Sequence, residues 1–106
     1  MFGGMGDMMK MMGQLPKLKQ NLAAAQERAK NRQAVGEAGA GMVKVTSNGL
    51  GEILSVKVDP EVLKDPETLG PLVTAATNLA LHKGKEILAE EAKVAMGGMD
   101  IPPGLI

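Results

Sequence analysis

The sequence predicts an α+β fold: a helix, a three-stranded antiparallel sheet made of a short strand plus a hairpin, and a second helix. Three observations predict it. Apolar and polar residues alternate on both sides of the stretch Asn48-Gly49-Leu50-Gly51, as in a hairpin of half-buried strands. The segment before the sheet region repeats apolar residues every three or four positions, which is the spacing of one helix face. The segment after it shows the same helical spacing.

The hairpin is the centre of the predicted sheet, which spans residues 35–59. Successive side chains of a strand point to opposite faces, so the alternation assigns one apolar face to the hairpin. That face carries Val43, Val45, Leu54, Val56 and Val58. Glycines of the connecting turn supply the positive-φ positions of a tight reversal. We expect the second helix to cover this face, where each fully buried Val or Leu contributes about 1.5–3 kcal/mol.

A short first strand is predicted before the hairpin, over residues 34–38. The glycines here, Gly36, Gly39 and Gly41, have the spacing GxxGxG. Phosphate-binding glycine loops follow a strand and open a helix. This stretch follows a helix, opens a strand and lacks GK[ST], so we interpret its glycines as turn or bulge residues.

The first helix is predicted over residues 8–33. Its main part runs from about Pro16 to Arg32, and an extension reaches back to Met8. Pro16 either bends this helix or begins it, because a proline inside a helix costs about 3 kcal/mol. The apolar stripe of the helix consists of Met8, Met11, Leu15, Leu18, Leu22, Ala25 and Ala29. A stripe this narrow, ending in alanines, cannot be buried against a single three-stranded sheet. It therefore predicts contact with a second copy of the chain. The predicted dimer interface comprises Met11, Leu15, Leu18, Leu22, Val43 and Val45.

The second helix is predicted over residues 66–96. Asp65-Pro66-Glu67 combines a capping carboxylate, a proline at the first helical position and an acid in the first turn. Asp59-Pro60 predicts a capped single turn just before it. Residues 97–106 are predicted to be an extended tail, because Pro102-Pro103 cannot continue a helix.

Composition bounds the function. The 106 residues predict one domain, residues 1–106. Cysteine is absent and Phe2 is the one aromatic residue, so there is no disulfide framework and no thiolate metal site. Asp7 and Lys10 interrupt the methionine-rich start, which therefore predicts neither a signal peptide nor a membrane span. We expect a soluble cytoplasmic protein.

The net charge of zero hides an asymmetry. Residues 1–34 carry six basic against two acidic side chains, or +4, and residues 35–106 carry six basic against ten acidic ones, or −4. A basic segment on an acidic body suits a polyanionic partner, although a solvated helix face explains the charge about equally well. The candidate DNA-binding residues are Lys10, Lys17, Lys19, Arg28, Lys30 and Arg32. The hypothesis requires them to face solvent rather than carboxylates.

Two features that the sequence lacks indicate which kind of nucleic acid it would bind. Few aromatic side chains are available to stack on exposed bases, which favours a duplex. No helix-turn-helix or zinc-finger spacing is present, which argues against readout base by base.

Enzymatic function is not predicted. His82 is the one histidine, so a histidine metal site or a Ser-His-Asp triad would lack companions. Glu90 and Glu91 point about 100° apart on a helix, and Glu86 and Glu90 form a solvated acidic face rather than a carboxylate dyad. We predict no catalytic residue, metal, cofactor, small-molecule substrate or membrane partner.

The sequence also resembles a known family. The resemblance rests on GEAGAGMVKVTSNGLGEILSVKVDPEVL from Gly36, then LVTAATN in the second helix and MDIPPGL near the end. These stretches are similar to the YbaB/EbfC family of bacterial nucleoid-associated proteins, over nearly the whole chain. The resemblance implies a three-stranded antiparallel sheet flanked by two helices, a homodimer with projecting first helices, and binding of double-stranded DNA with little sequence preference in the nucleoid. Pro16, together with Gly13, departs from the family pattern.

A second hypothesis belongs to a different class. Paired helical arms with methionine-rich tips also suit a protein-interaction adapter, because methionine side chains adapt to varied apolar surfaces.

Overall fold

We describe the fold from a computed structural model, which covers residues 5–97 and the side chains of residues 13 and 15–97. The elements run in the order α1 (Met5–Asn31), β1 (Gln33–Ala38), β2 (Val43–Asn48), β3 (Ile53–Val58), α2 (Pro60–Leu63) and α3 (Pro66–Ala95). This order confirms the predicted α+β class. The predictions for residues 1–4 and 98–106, which include nearly all of the extended tail, lie outside the described residues.

The three strands form one antiparallel sheet in the order β1-β2-β3. Val45 is opposite Gly36 of β1 and Val56 of β3. The register between β2 and β3 shifts at Thr46 and Ser47, which indicates a bulge near the turn. The sheet therefore has β2 at its centre and β1 and β3 at its edges.

Helix α3 lies on β1 and β2, and its contact with them forms the main core. Val43, Val45, Ala76 and Ala80 are all fully buried in one cluster. The helix approaches closely because Gly36 has no side chain: a Cβ there would overlap backbone atoms of Ala76 and Ala80. Small residues on both elements thus set the position of α3.

Strand β3 differs from the prediction. Leu54 and Val56 are each 48% exposed, whereas we expected the second helix to cover them. The reason is the position of α3, which packs mainly on β1 and β2 above Gly36 and leaves β3 beyond its edge. Val58, at the far end of β3, is half-buried against the α3 core.

The turn between β2 and β3 is organised by a buried asparagine. Asn48 is 1% exposed, and its Oδ1 accepts from the backbone N–H groups of Leu50 (2.9 Å) and Glu52 (3.1 Å). Gly51 adopts a φ of +80°, as predicted for the turn. Gly49 instead permits close packing: its N–H donates to the Ala29 carbonyl at 2.8 Å, and a Cβ would lie 2.7 Å from that of Ala29. The turn is thereby joined to the end of α1.

Helix α1 continues through Pro16 over 27 residues, so the alternative in which the helix begins at Pro16 is wrong. Its C-terminal half runs antiparallel to α3 and buries Ala25 and Ala29. The Asn21 side chain donates to the carbonyl of Ala95 at 3.4 Å, at the last residue of α3. Residues 5–20 therefore extend beyond α3 by about 24 Å at 1.5 Å per residue. We call this segment the arm.

The predicted caps of α2 and α3 are present. Asp59 Oδ1 accepts from the N–H of Glu61 at 2.9 Å, at the start of α2. Asp65 accepts from the N–H of Thr68 at 3.3 Å and from its hydroxyl at 2.6 Å, at the start of α3. The bonds from backbone N–H groups satisfy donors that have no partner within the helix. The hydroxyl and the N–H of Thr68 together hold the pKa of Asp65 below its ordinary value.

Candidate nucleic-acid interface

The basic residues of α1 flank its apolar stripe on both sides. At about 100° per residue, Lys17 and Arg28 lie to one side of the stripe, and Lys19 and Lys30 lie to the other. The opposite surface of the helix is neutral or polar, apart from Glu27. The cations therefore border the apolar face rather than covering the helix evenly.

Three lysines fulfil the expectation of open solvent. Lys17, Lys19 and Lys30 are exposed, and no carboxylate of the described side chains lies within ion-pair distance of them. Lys17 and Lys19 belong to the arm, and Lys30 lies in the last turn of α1. An ammonium group without a carboxylate partner is available to an external anion.

Two arginines do not fulfil that expectation. Arg28 Nε lies 2.7 Å from Glu91 Oε2, and Arg32 Nη1 lies 3.0 Å from Glu90 Oε2 and 3.0 Å from Glu91 Oε1. We call these four residues the Arg–Glu cluster. The prediction that all candidate cations face open solvent is therefore corrected for Arg28 and Arg32, because the antiparallel packing of α1 on α3 brings them to the acidic residues of α3.

The Arg–Glu cluster shifts the ionisation of its members. The Arg28 guanidinium, with a smaller effect from Arg32, lowers the pKa of the Glu91 carboxyl below its ordinary value against the opposing effect of desolvation. Hydrogen bonds to Glu90 and then Glu91 raise the pKa of Arg32. The side chain of Glu91 is only 13% exposed. The charged form of Glu91 is therefore favoured between its two partners. Of the predicted solvated pair, Glu90 is 63% exposed but also pairs with Arg32.

The predicted dimer-interface residues fall into different environments. Leu15, on the arm, is 57% exposed, and Leu18 and Leu22 are half-buried. Val43 and Val45 are fully buried beneath α3 of the same chain, so they offer no surface to a second copy while this packing persists. Lys10 and Met11 lie within helix α1, but their side chains are outside those described.

Exposed apolar residues lie along the edge strand β3, although the sequence analysis expected α3 to cover Leu54 and Val56. Ile53 is 42% exposed and Leu54 and Val56 are each 48% exposed, and we call these three residues the β3 patch. Val56 pairs with Val45 across the strands, yet only Val45 is covered by α3. The signal that could have revealed this patch is the small-residue spacing of Ala76, Ala80 and Gly84. The first two lie against Gly36 of β1 and the third lies against Asn48 of β2, which places α3 over β1 and β2.

Other candidate chemistry is limited within residues 5–97. No group of three or more His, Asp, Glu or Cys side chains there is arranged to hold a metal ion. His82 lies on the exposed surface of α3, with Nε2 3.4 Å from Glu86 Oε1. None of the described helices has the length and apolarity to cross a membrane.

Comparison with known proteins assigns the family. The model of the YbaB/EbfC DNA-binding family matches residues 5–99. The chain belongs to the YbaB/EbfC DNA-binding family. This confirms the resemblance seen in the hairpin and in the flanking helices, and the family's description names DNA binding rather than catalysis.

Related proteins cover almost the whole YbaB/EbfC domain. A nucleoid-associated protein of Pelotomaculum thermopropionicum is 39% identical over 99 residues, covering 92% of this chain and 94% of the relative. One of Moorella thermoacetica is 40% identical over 101 residues, with 93% and 97% covered. The crystal structure of an uncharacterized Helicobacter pylori protein is similar with a TM-score of 0.64 at 28% identity, covering 84% of this chain and 91% of that one.

Proposed function

We propose that this protein is a nucleoid-associated protein that binds double-stranded DNA with little sequence preference, as a homodimer, through phosphate contacts from the lysines of α1. The observation that carries the proposal is the arm: Lys17 and Lys19 are exposed on a helix that extends beyond α3, without a carboxylate partner among the described side chains. Membership of a DNA-binding family supports the same partner.

Electrostatics explains why such an arm binds a duplex without reading its sequence. Each lysine that neutralises a phosphate releases condensed counterions, and this term is the same for every base pair. Phosphate contacts position a protein on DNA but carry no sequence information. Lysine approaches a phosphate as a flexible point charge, so the arm tolerates variation in DNA geometry.

A second copy of the chain multiplies this effect. One chain offers the three described lysines Lys17, Lys19 and Lys30 without carboxylate partners, whereas a twofold dimer offers two such sets on one assembly. The β3 patch is the surface that we assign to the second copy, because it is apolar, lies at the unpaired edge of the sheet, and is left open by α3. An open apolar strand edge favours pairing with another chain.

The proposal is tested by replacing the lysines of α1. In K17Q/K19Q/K30Q, three phosphate contacts are lost from each protomer. We expect weaker binding to a random-sequence duplex. The salt slope, d log K/d log[salt], should become shallower by up to about 2.7 for each protomer that contacts DNA, because each phosphate contact contributes about 0.9. Fluorescence anisotropy titrations at several salt concentrations measure both quantities.

The matched control is K44Q/K57Q/K64Q, which removes the same charge from the sheet and α2. Lys44 and Lys64 pair with Glu37 and Glu61, and all three lysines lie away from α1. We expect the control to lower affinity through net charge while its salt slope stays near that of the unchanged protein. Equal loss of slope in the two variants would refute the assignment of the DNA surface to α1.

A further inference from the structure

The Arg–Glu cluster lies at the surface beside the contact between the C-terminal half of α1 and α3. The arginine side chains keep 45% and 44% of their surface exposed, so burial does not withhold them from DNA. Their guanidinium groups are instead occupied by carboxylates of the same chain at 2.7–3.0 Å. Two positive and two negative side chains make the cluster neutral.

Glu91 holds both arginines at once. Arg28 lies in the last turn of α1 and Arg32 just after its end, and one carboxylate accepts from Arg28 through Oε2 and from Arg32 through Oε1. Charge-assisted hydrogen bonds of this kind are stronger than neutral ones. Glu90 adds a second carboxylate to Arg32. A DNA phosphate that contacts these arginines would have to displace the carboxylates or would be repelled by them.

We propose that Glu90 and Glu91 mask Arg28 and Arg32 from DNA, so that the DNA-contacting surface of α1 depends on its lysines and excludes the two arginines. Glu90 and Glu91 thereby set how many phosphates the protein engages and how strongly salt weakens its binding. This inference rests on the proposed function, and it deepens it by dividing the basic residues of α1 into contacting and masked ones.

The variant E90Q/E91Q tests the masking. Glutamine keeps the size of each side chain but removes its charge and replaces one acceptor oxygen by an amide donor. It therefore cannot accept from both arginines as Glu91 does, which releases them. We expect tighter binding to a random-sequence duplex and a salt slope steeper by up to about 1.8 per protomer in contact, from two additional phosphates at about 0.9 each.

The matched control is E67Q/E86Q, which removes two charges from the same helix. Glu67 lies in the first turn of α3, and Glu86 pairs with His82; neither contacts an arginine of α1. Under the same conditions we expect this control to bind somewhat more tightly through net charge alone, with an unchanged salt slope. Equal slopes in E90Q/E91Q and E67Q/E86Q would overturn the inference.

A second variant keeps the test decisive if E90Q/E91Q unfolds, which circular dichroism would reveal. R28Q/R32Q/E90Q/E91Q removes the whole neutral cluster at constant net charge. Masked arginines contribute no phosphate contact, so we expect the original slope; a slope shallower by about 1.8 per protomer would show that the arginines bind DNA in the unchanged protein. A protein that shows no DNA binding at low salt would instead refute the proposed function itself.

Discussion

At the scale of single residues, three glycines determine how closely the elements approach. Without a Cβ at Gly36, α3 can approach β1, and without one at Gly49 the β2–β3 turn can approach the end of α1. Without a Cβ at Gly84, α3 can approach the carbonyl of Asn48. Beside Gly84, the hydroxyl of Ser47 donates to the Ala80 carbonyl at 2.7 Å and is fully buried. A glycine inside a helix ordinarily costs about 0.5–1 kcal/mol relative to alanine, so its presence at position 84 indicates a packing requirement.

Gly84→Ala is therefore expected to destabilise the fold, against the usual helix preference. The new Cβ would overlap the Asn48 carbonyl and lie 3.3 Å from Ser47 Oγ, and overpacking of this kind costs about 1–3 kcal/mol. Chemical denaturation measures the free energy of unfolding. Gly70→Ala is the control: nothing lies within 4 Å of its added Cβ, so we expect a change below about 1 kcal/mol. A Gly84→Ala protein as stable as the unchanged one would contradict the close approach.

At the scale of elements, the docking of α1 on α3 combines small apolar residues with the Arg–Glu cluster. Ala25 and Ala29 are buried, and Arg28 and Arg32 reach Glu91 at the edge of that contact. The docked half of α1 fixes the direction in which the arm leaves the body. The charge pairing should therefore be visible in the pH dependence of stability.

Glu91→Gln should remove a stabilisation that exists only while Glu91 is charged. The folded-state pKa of Glu91 is lowered from 4.5, so its contribution is fully present above 4.5 and is lost as the pH falls through the folded-state value. We expect the difference in Tm between the unchanged protein and Glu91→Gln to be largest near neutral pH and to shrink toward strongly acidic pH. Asp65 also has a lowered pKa, but it is present in both proteins and cancels.

The control for this titration is Glu86→Gln, because Glu86 contacts His82 on the same helix rather than α1. At neutral pH we expect a smaller loss of Tm than for Glu91→Gln. A constant difference between the unchanged protein and Glu91→Gln across the acidic range would show that charge on Glu91 does not hold α1 to α3.

Most of the elements were predictable because their signals are local. The alternation of Val43, Lys44 and Val45 predicts a strand, and Asp65 followed by Pro66 predicts a helix start. Local signals do not predict how elements dock. The uncovered β3 depends on where α3 crosses the sheet, and the pairing of Arg28 with Glu91 depends on two helices that are 63 positions apart at this contact.

The candidate site was therefore predicted only in part. Net charge identifies α1 as the basic element, but it counts Arg28 and Arg32 as equal to the lysines. Their neutralisation requires knowledge of tertiary contacts. The continuity of α1 through Pro16 agrees with the predicted extension back to Met8 despite the local cost of a proline inside a helix.

At the scale of the whole molecule, the body and the arm have different roles. The molecule measures 70 × 23 × 17 Å, and its length reflects the offset between α1 and α3. The body leaves the β3 patch open, whereas the arm carries lysines. We assign the first surface to a second copy of the chain and the second to DNA.

Val56→Lys is expected to convert the proposed dimer to a monomer. Val56 is 48% exposed at the edge of the sheet, and a buried lysine at the interface would carry an unpaired charge out of water. Sedimentation velocity at micromolar concentration measures the mass. Leu63→Lys is the control, since Leu63 is 58% exposed on α2 and should leave the dimer intact. A dimer that survives Val56→Lys would place the interface elsewhere.

The central claim is that the lysines of α1 bind duplex DNA through its phosphates. The most direct measurement is the affinity of the unchanged protein for a random-sequence duplex between 50 and 200 mM salt. Six lysines in a dimer predict a slope near −5.4, at about 0.9 for each phosphate, and a loss of about a thousandfold across this range. An affinity that stays constant over the same salt range would contradict the account.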